Sequence, residues 1–256
     1  MKKFAIVSKN DAVSIKVAMT IQKQLLEGNM QYDEASPDIV CVIGGDGTFL
    51  SAIHKYIYRL DKTAFTGIHT GTLGFFADFT LKEMKEFVSQ ILTKKPEIEK
   101  RYLLKIDLSN GKKFYAVNEM RIESYKTKVI DVLLNDEKLE TFHGLGMCVS
   151  TQIGSTGYNR SISGAIVQPG LNVLQLKEVG GIHHSHFNSI INPIVLLGST
   201  KIDFISEDFS NTKLCFDRYD VDLEGELQIT CVLSDRFVQI AHYKPQRWIE
   251  NLKQLF

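Results

Sequence analysis

Gly44-Gly45-Asp46-Gly47-Thr48 brings together the residue types that phosphate chemistry needs. Glycines at a strand-to-helix turn let an anion approach backbone N–H groups with no Cβ in the way, and the positive end of the following helix favours negative charge. Asp46 is the odd member, because a carboxylate beside bound phosphates is electrostatically costly without compensation. It is read as holding a metal ion, accepting a hydroxyl proton or orienting a sugar. The plainer alternative is a surface turn in which Asp46 caps the helix. No Lys-Ser/Thr follows at the spacing of a P-loop, and the glycines do not match the Gly-x-Gly-x-x-Gly dinucleotide pattern.

A second glycine cluster, His69-Thr70-Gly71-Thr72-Leu73-Gly74-Phe75-Phe76, follows another apolar run. Loops at the carboxyl ends of neighbouring strands in an open α/β sheet meet at one crevice, so two such loops predict a single nucleotide site. Phe75 belongs either against a ring of the ligand or in the core. Asn118-Glu119 supplies donors and acceptors that suit the hydroxyls and base edge of a nucleoside. Further on, Ser150 to Ser161 gathers hydroxyls, glycines and Tyr158 into one loop, which can hydrogen-bond an adenine while Tyr158 covers its face. His183-His184-Ser185-His186 is poorly arranged for zinc: consecutive side chains point apart, and no Cys or acidic partner stands at ligand spacing. No metal site built from protein ligands is expected.

These residues must be positioned by two styles of sequence that meet near Pro96. Before it, strands at Phe4–Val7, Ile39–Ile43 and Ala64–His69 alternate with helices at Ser14–Glu27, Thr48–Arg59 and Leu81–Thr93, the pattern of a parallel sheet covered by helices. The first helix carries an apolar stripe at Ile15, Ala18, Ile21 or Gln22, and Leu25, with Gly28 placed to end it. After Pro96 the runs become short and β-rich: Tyr102–Leu108 and Lys113–Val117 flank an Asn110-Gly111 hairpin turn, and further strands are predicted at Val129–Leu134, Met147–Ser150, Lys201–Ile205, Glu226–Leu233 and Phe237–Tyr243. The fold class is therefore α/β followed by β. An open parallel, Rossmann-like α/β domain over residues 1–96 carries the first glycine loop, a mostly β domain spans 97–244, and a helix over 245–256, with Trp248, Ile249, Leu252 and Phe256 at helical spacing, packs back on a domain surface.

Composition removes several function classes. Across 256 residues, 30 Lys and Arg balance 30 Asp and Glu, which gives no whole-chain reason to expect nucleic acid or an anionic membrane as partner. The apolar run after Lys2-Lys3 is too short for a signal peptide and reads as the first strand. No apolar stretch reaches membrane-spanning length. Cys41, Cys148, Cys215 and Cys231 lack paired spacing, so a reduced, cytoplasmic setting is expected.

Taken in order, the GGDGT segment Gly44 to Thr48, the TG-x-LGF segment Thr70 to Phe75, Asn118-Glu119, and the glycine-rich loop Thr151 to Tyr158 resemble NAD kinase over nearly the whole chain. The similarity continues through Gly164-Ala165, Pro169 and Gln175-Leu176-Lys177-Glu178. Diacylglycerol-type lipid kinases share only the first cluster. The resemblance implies a phosphotransferase that moves the γ-phosphate of ATP to the 2′-hydroxyl of the adenosine ribose of NAD, with Mg²⁺ entering alongside ATP and a homotetramer or homodimer as the assembly. By the same resemblance Asp46 activates or orients that hydroxyl. Gly44, Gly45, Gly47, Thr48, Leu73, Gly74 and Phe75 form the nucleotide loops, and Asn118 and Glu119 hold the ribose or groups near the phosphate. Thr156, Gly157, Tyr158 and Ser161 line the adenine pocket, and Gly180 and Ile182 complete the dinucleotide cleft. This chain departs from the family pattern at His143-Gly144-Leu145-Gly146, where an aspartate commonly stands in place of Leu145, at Gln152 in place of proline, and at Gly157 in place of alanine. Leu145 removes a carboxylate expected near the nicotinamide end, which implies weaker dinucleotide binding. Two rivals remain at this stage: a nucleotide-binding regulatory module that has lost turnover, and a lipid or sugar kinase with the same first loop.

Overall fold

Ile39–Ile43 forms a strand whose every residue is buried, as a run of apolar residues without polar alternation requires in a sheet covered on both faces. The computed structural model describes residues 2–71, 74–183, 189–246, 248–253 and 255. Leu73, His184, His186 and Phe256 lie outside the described residues. In chain order the elements begin β1 (Lys3–Ser8), α1 (Ala12–Glu27), β2 (Gln31–Tyr32), β3 (Ile39–Ile43), α2 (Asp46–Lys55), β4 (Ala64–His69), β5 (Phe79–Thr80) and α3 (Met84–Thr93). They continue with β6 (Glu97–Leu108), β7 (Lys113–Ala116), β8 (Glu119–Leu134), β9 (Glu137–Thr151), α4 (Tyr158–Ser161), β10 (Val173–Gly181) and β11 (Ile194–Leu197). The last are β12 (Ile202–Ile205), β13 (Thr212–Phe216), β14 (Tyr219–Asp222), β15 (Gln228–His242) and α5 (Trp248–Lys253).

The chain packs as two units, one of Met1–Arg101 with Arg236–Phe256 and one of Tyr102–Asp235. Both boundaries fall inside continuous strands, β6 and β15. The change of composition at Pro96 marks the start of β6, not the point where the chain passes from one unit to the other, and α5 belongs with the first unit. A strand that continues from one unit to the next leaves no linker in the sequence to mark the passage.

In the first unit β2, β1, β3, β4 and the end of β15 pair in that order, all parallel, with β5 beside the end of β4. Phe4, Ile21, Leu25, Ile39, Ile68 and Phe87 are among its buried side chains. Asp11 caps α1 by accepting from the Ser14 N–H at 2.8 Å, and the Gly28 N–H closes the helix on the Gln24 carbonyl. Ile21 and Leu25 are fully buried, but Ile15 is 40% exposed, and Ser14 takes the inward position against Thr70, Oγ to Oγ1 at 3.0 Å. The apolar stripe is thus shorter than helical spacing suggests. The second unit is antiparallel: β11, β10, β9, β8, β12 and the first part of β15 form one path, with β13 on β8 and β14 on β13. Its core includes Leu104, Ile122, Val132, Phe142, Val149 and Phe204.

Candidate functional site

In the first unit, β3 ends at Ile43 and the chain turns at once. The Gly44 N–H donates to the Ile68 carbonyl at 3.0 Å, Gly45 becomes the cap of α2, and its carbonyl accepts from Thr48 and Phe49. Asp46 is therefore the first residue of the helix and not its cap, in the turn where a negative charge meets the positive end of the helix dipole. The Phe75 N–H donates to both its carboxylate oxygens, at 3.1 and 3.0 Å. Gly74 is required at this approach: a Cβ there would stand 2.1 Å from Asp46 Oδ1 and 2.5 Å from its Cγ. Gly44, Gly45, Asp46, Gly47, Thr48, Gly74 and Phe75 are thus joined by one strand-to-helix turn and one facing loop.

Crowding by the surrounding protein pushes the Asp46 pKa upward, while the N–H groups of Phe75 and Phe76 and the charges of Arg101 and His69 pull in the opposite direction. A carboxylate so placed is more basic than one in water. Phe76 is buried in the core, stacked on Phe49 with ring centroids 5.3 Å apart, whereas Phe75 is half-buried. His69 Nδ1 lies 2.9 Å from the Gly71 carbonyl, a partner that can only accept, so Nδ1 carries the proton.

In the second unit, Asn118 and Glu119 stand at the entry to β8, and Glu119 pairs with Ser150 of β9. Asp217 fixes the turn by accepting from the N–H groups of Val117 at 2.8 Å and Asn118 at 2.7 Å. Thr151 Oγ1 donates to the Val117 carbonyl at 2.7 Å and accepts from the Gly154 N–H at 3.2 Å, which ties the glycine-rich loop to the same turn. A Cβ on Gly154 would lie 2.1 Å from the Asn118 carbonyl oxygen, so this loop tolerates only glycine there. Asn118 Oδ1 and Glu119 Oε2 are buried and have no hydrogen-bond partner among the described residues, although a buried polar atom ordinarily has one. Glu119 Oε2 faces the Gly157 position, where a Cβ would be 3.2 Å from it, and Asn118 Nδ2 lies 3.5 Å from the same point. Burial, followed by the charge of Asp217, raises the Glu119 pKa to about 7, against the opposing effects of Arg121 and the Tyr158 N–H.

Tyr158 begins α4, which ends at Ser161, and Thr156 lies in the turn just before it. The Arg121 guanidinium sits 4.0 Å from the centroid of the Tyr158 ring and pairs with Glu123 at 3.1 Å. Leu145 and Tyr158 share the lining of a cavity of about 470 Å³ with Val179, Glu123, Lys213 and Asp222. Gly180 packs against Leu145, and the His143 carbonyl accepts from the Ile182 N–H at 2.8 Å. Gln152 donates to the Val167 carbonyl at 3.2 Å, so the residue in place of proline anchors the loop through its side chain.

Sequence reasoning missed Arg121 and Asp217. Arg121 follows Glu119 by two residues on one strand and so shares its face, a signal available once β8 is recognised that far back. Asp217 carries no such signal, because its role is to accept backbone N–H groups far away in the sequence. Among the described residues no three His, Cys, Asp or Glu side chains converge as a metal site.

Comparison with known proteins places these features in one family. The model of the ATP-NAD kinase N-terminal domain matches residues 4–96, and that of the ATP-NAD kinase C-terminal domain matches residues 117–242. An NAD kinase of Geobacillus stearothermophilus is 36% identical over 99% of this chain and 96% of its own length, and NAD kinase 1 of Bacillus subtilis is 35% identical over 99% and 98%. The fold is similar to that of yeast NADH kinase solved with NADH, with a TM-score of 0.81 at 19% identity over 100% of this chain and 87% of that one. It is also similar to that of an NAD kinase from Archaeoglobus fulgidus solved with ATP, with a TM-score of 0.78 at 22% identity over 99% and 98%. With both domain models matched in order and full-length relatives above one-third identity, this chain belongs to the NAD kinase family.

Proposed function

We propose that this protein is an ATP-dependent NAD kinase that transfers the γ-phosphate of ATP to the 2′-hydroxyl of the adenosine ribose of NAD, giving NADP. The observation that carries the reading is Asp46: a carboxylate on the first turn of α2, held through both oxygens by the Phe75 N–H at 3.1 and 3.0 Å in a bend made of glycine. A ribose hydroxyl is a weak nucleophile, so transfer needs it aligned with the phosphoryl group and a base at its proton. Asp46 meets the second need, because crowding keeps it more basic than an exposed aspartate. Gly44, Gly45, Gly47 and Thr48, at the amino end of α2, are assigned to phosphate groups.

Asn118 and Glu119 are assigned to the nucleoside, supported by their unpartnered buried oxygens, which hydroxyl or amino groups of a ligand would satisfy. Tyr158, with Thr156, Gly157 and Ser161, is assigned to the adenine, and Phe75 and Gly74 to the loop beside the transferred group. His143, Leu145, Gly180 and Ile182 are assigned to the nicotinamide end. Mg²⁺ belongs to the proposal as a companion of ATP, an ion that keeps mainly phosphate oxygens and water as its ligands. When bound, it spreads the charge of the triphosphate.

A homotetramer or homodimer, measurable by light scattering, and a cytoplasmic setting, in keeping with four buried free cysteines, complete the reading. The activity is tested by incubating the protein with NAD, ATP and Mg²⁺ and coupling product to an NADP-specific dehydrogenase. NADP formation that requires both substrates is the expected result; tight NADP binding with no turnover would replace the enzyme with a binding module.

A further inference from the structure

The chain that follows Phe75 runs into a buried ionic cluster that the reaction as described above does not use. His242, near the end of β15 and 5% exposed, lies with Nδ1 2.9 Å from Asp78 Oδ1 and with Nε2 2.9 Å from Glu99 Oε2. A neutral imidazole has one N–H and one lone pair, so a ring with a carboxylate at each nitrogen is satisfied only when doubly protonated. Glu99 Oε2 also receives Arg101 Nη2 at 2.9 Å and Gln246 Nε2 at 3.0 Å. Arg101, 9% exposed, lies over the Phe76 ring at 5.3 Å, and Phe76 stacks on Phe49 of α2. The short segment from Phe75 to Asp78 is therefore gripped at Phe76 by Arg101 and Phe49 and at Asp78 by His242. Its first N–H is the donor to Asp46.

We propose that His242 is a positioning residue for phosphoryl transfer: as an imidazolium bridging Asp78 and Glu99, it holds the Phe75–Asp78 segment in the conformation that directs the Phe75 N–H at Asp46. The inference rests on Asp46 being the reacting carboxylate. The charged groups facing the ring are Asp78 from the loop and Glu99 and Arg101 from β6; Lys244 is engaged with Glu83 and Glu86. Burial opposes the charge on His242, but its two carboxylate partners more than offset this and leave its pKa at about 9. Loss of that proton sets two partly buried carboxylates against each other with Arg101 as their only remaining cationic neighbour among the described contacts.

The test is the pH dependence of kcat and KM for NAD from pH 7 to 10, with circular dichroism at each pH, for the wild type, His242→Gln, Glu99→Gln and Asp46→Asn. A carboxylate misplaced by about 1 Å costs on the order of a hundredfold in rate, so His242→Gln is expected to lower kcat by tenfold or more with KM for NAD within about twofold. The wild type is expected to lose kcat reversibly above about pH 9 while its folded signal holds, and this loss is expected to be absent from the His242→Gln profile. Glu99→Gln takes one carboxylate from the ring and should move the loss to lower pH, a readout that stands even if the His242 variant does not fold. A wild-type kcat that is flat to pH 10, a limb that Glu99→Gln does not move, or a folded His242→Gln enzyme with wild-type kcat overturns the proposal. Full activity of Asp46→Asn would instead remove the Asp46 reading beneath it, so the two failures are told apart.

Discussion

Gly74→Ala tests the local geometry of the reacting carboxylate without touching its chemistry. The new Cβ would stand 2.1 Å from Asp46 Oδ1, 2.5 Å from Cγ and 2.7 Å from Oδ2, where ordinary contacts begin near 3.4 Å. Something must therefore move by about 1 Å, and Asp46 cannot swing aside without losing the Phe75 N–H. A hydrogen bond to a charged group contributes about 1.5–3 kcal/mol, and overpacking costs about 1–3 kcal/mol, so a combined loss near 2 kcal/mol is expected after partial relaxation. That corresponds to a fall of roughly 4–8 °C in Tm for a chain of this size. Displacement by about 1 Å should lower kcat about a hundredfold. Calorimetry and the coupled NADP assay measure both effects, and a double-mutant cycle with Asp46→Ala isolates the contact. Removing the carboxylate should erase most of the stability cost of Gly74→Ala. A cost that is the same with and without the Asp46 side chain, or a Gly74→Ala enzyme with kcat within twofold of wild type, would show that the Gly74–Asp46 contact does not hold the carboxylate in place.

Three further outcomes concern the second unit. Leu145→Asp restores an acceptor to a half-exposed position on the wall of the cavity shared with Tyr158, and should tighten NAD binding by roughly 1 kcal/mol, about fivefold, in calorimetric titration; equal affinity would detach Leu145 from recognition. Glu119, with a pKa raised to about 7, is partly protonated in the free protein near neutrality. Because ligand hydroxyls favour the carboxylate form, NAD affinity should rise as pH increases from 6 to 8, and Glu119→Gln should flatten that dependence. The sign for stability is opposite: with its folded pKa above the ordinary 4.5, Glu119 binds protons more readily in the folded chain, so its contribution to stability decreases as pH rises from about 4.5 through 7. Urea titrations of wild type and Glu119→Gln across that window measure the difference.

The first unit was legible because its signals are local. An apolar run, a glycine bend and a helical stripe follow one another over residues 39–57, and the observed β3 and α2 occupy that stretch. The second unit was less so. β8 and β9 are long strands whose polar outward faces break the apolar runs, so only Val129–Leu134 and Met147–Ser150 stood out, while the charged stretches that complete them did not. β10, β11, β13 and β14 were not identified, and β15 reads as two strands because Ser234-Asp235-Arg236 interrupts it. The glycines and Asp46 announced a site by type and spacing. Their partners did not: the Phe75 N–H is a backbone group common to almost every residue, and Asp217 reaches across a hundred positions to the turn at Asn118. The His242 cluster joins the second glycine loop, β6 and β15, and no window along the chain contains all of it.

Whether Asp46 takes the ribose proton is measured by kcat of Asp46→Asn beside its dissociation constant for NAD. Asparagine keeps the size and one acceptor oxygen but cannot take a proton from the ribose hydroxyl, and general-base catalysis contributes about 10²- to 10⁴-fold. The expected result is a kcat lowered at least a hundredfold with NAD affinity within a few-fold of wild type. An Asp46→Asn enzyme that turns over at the wild-type rate, or one whose whole loss lies in NAD binding, would mean that Asp46 is not the base.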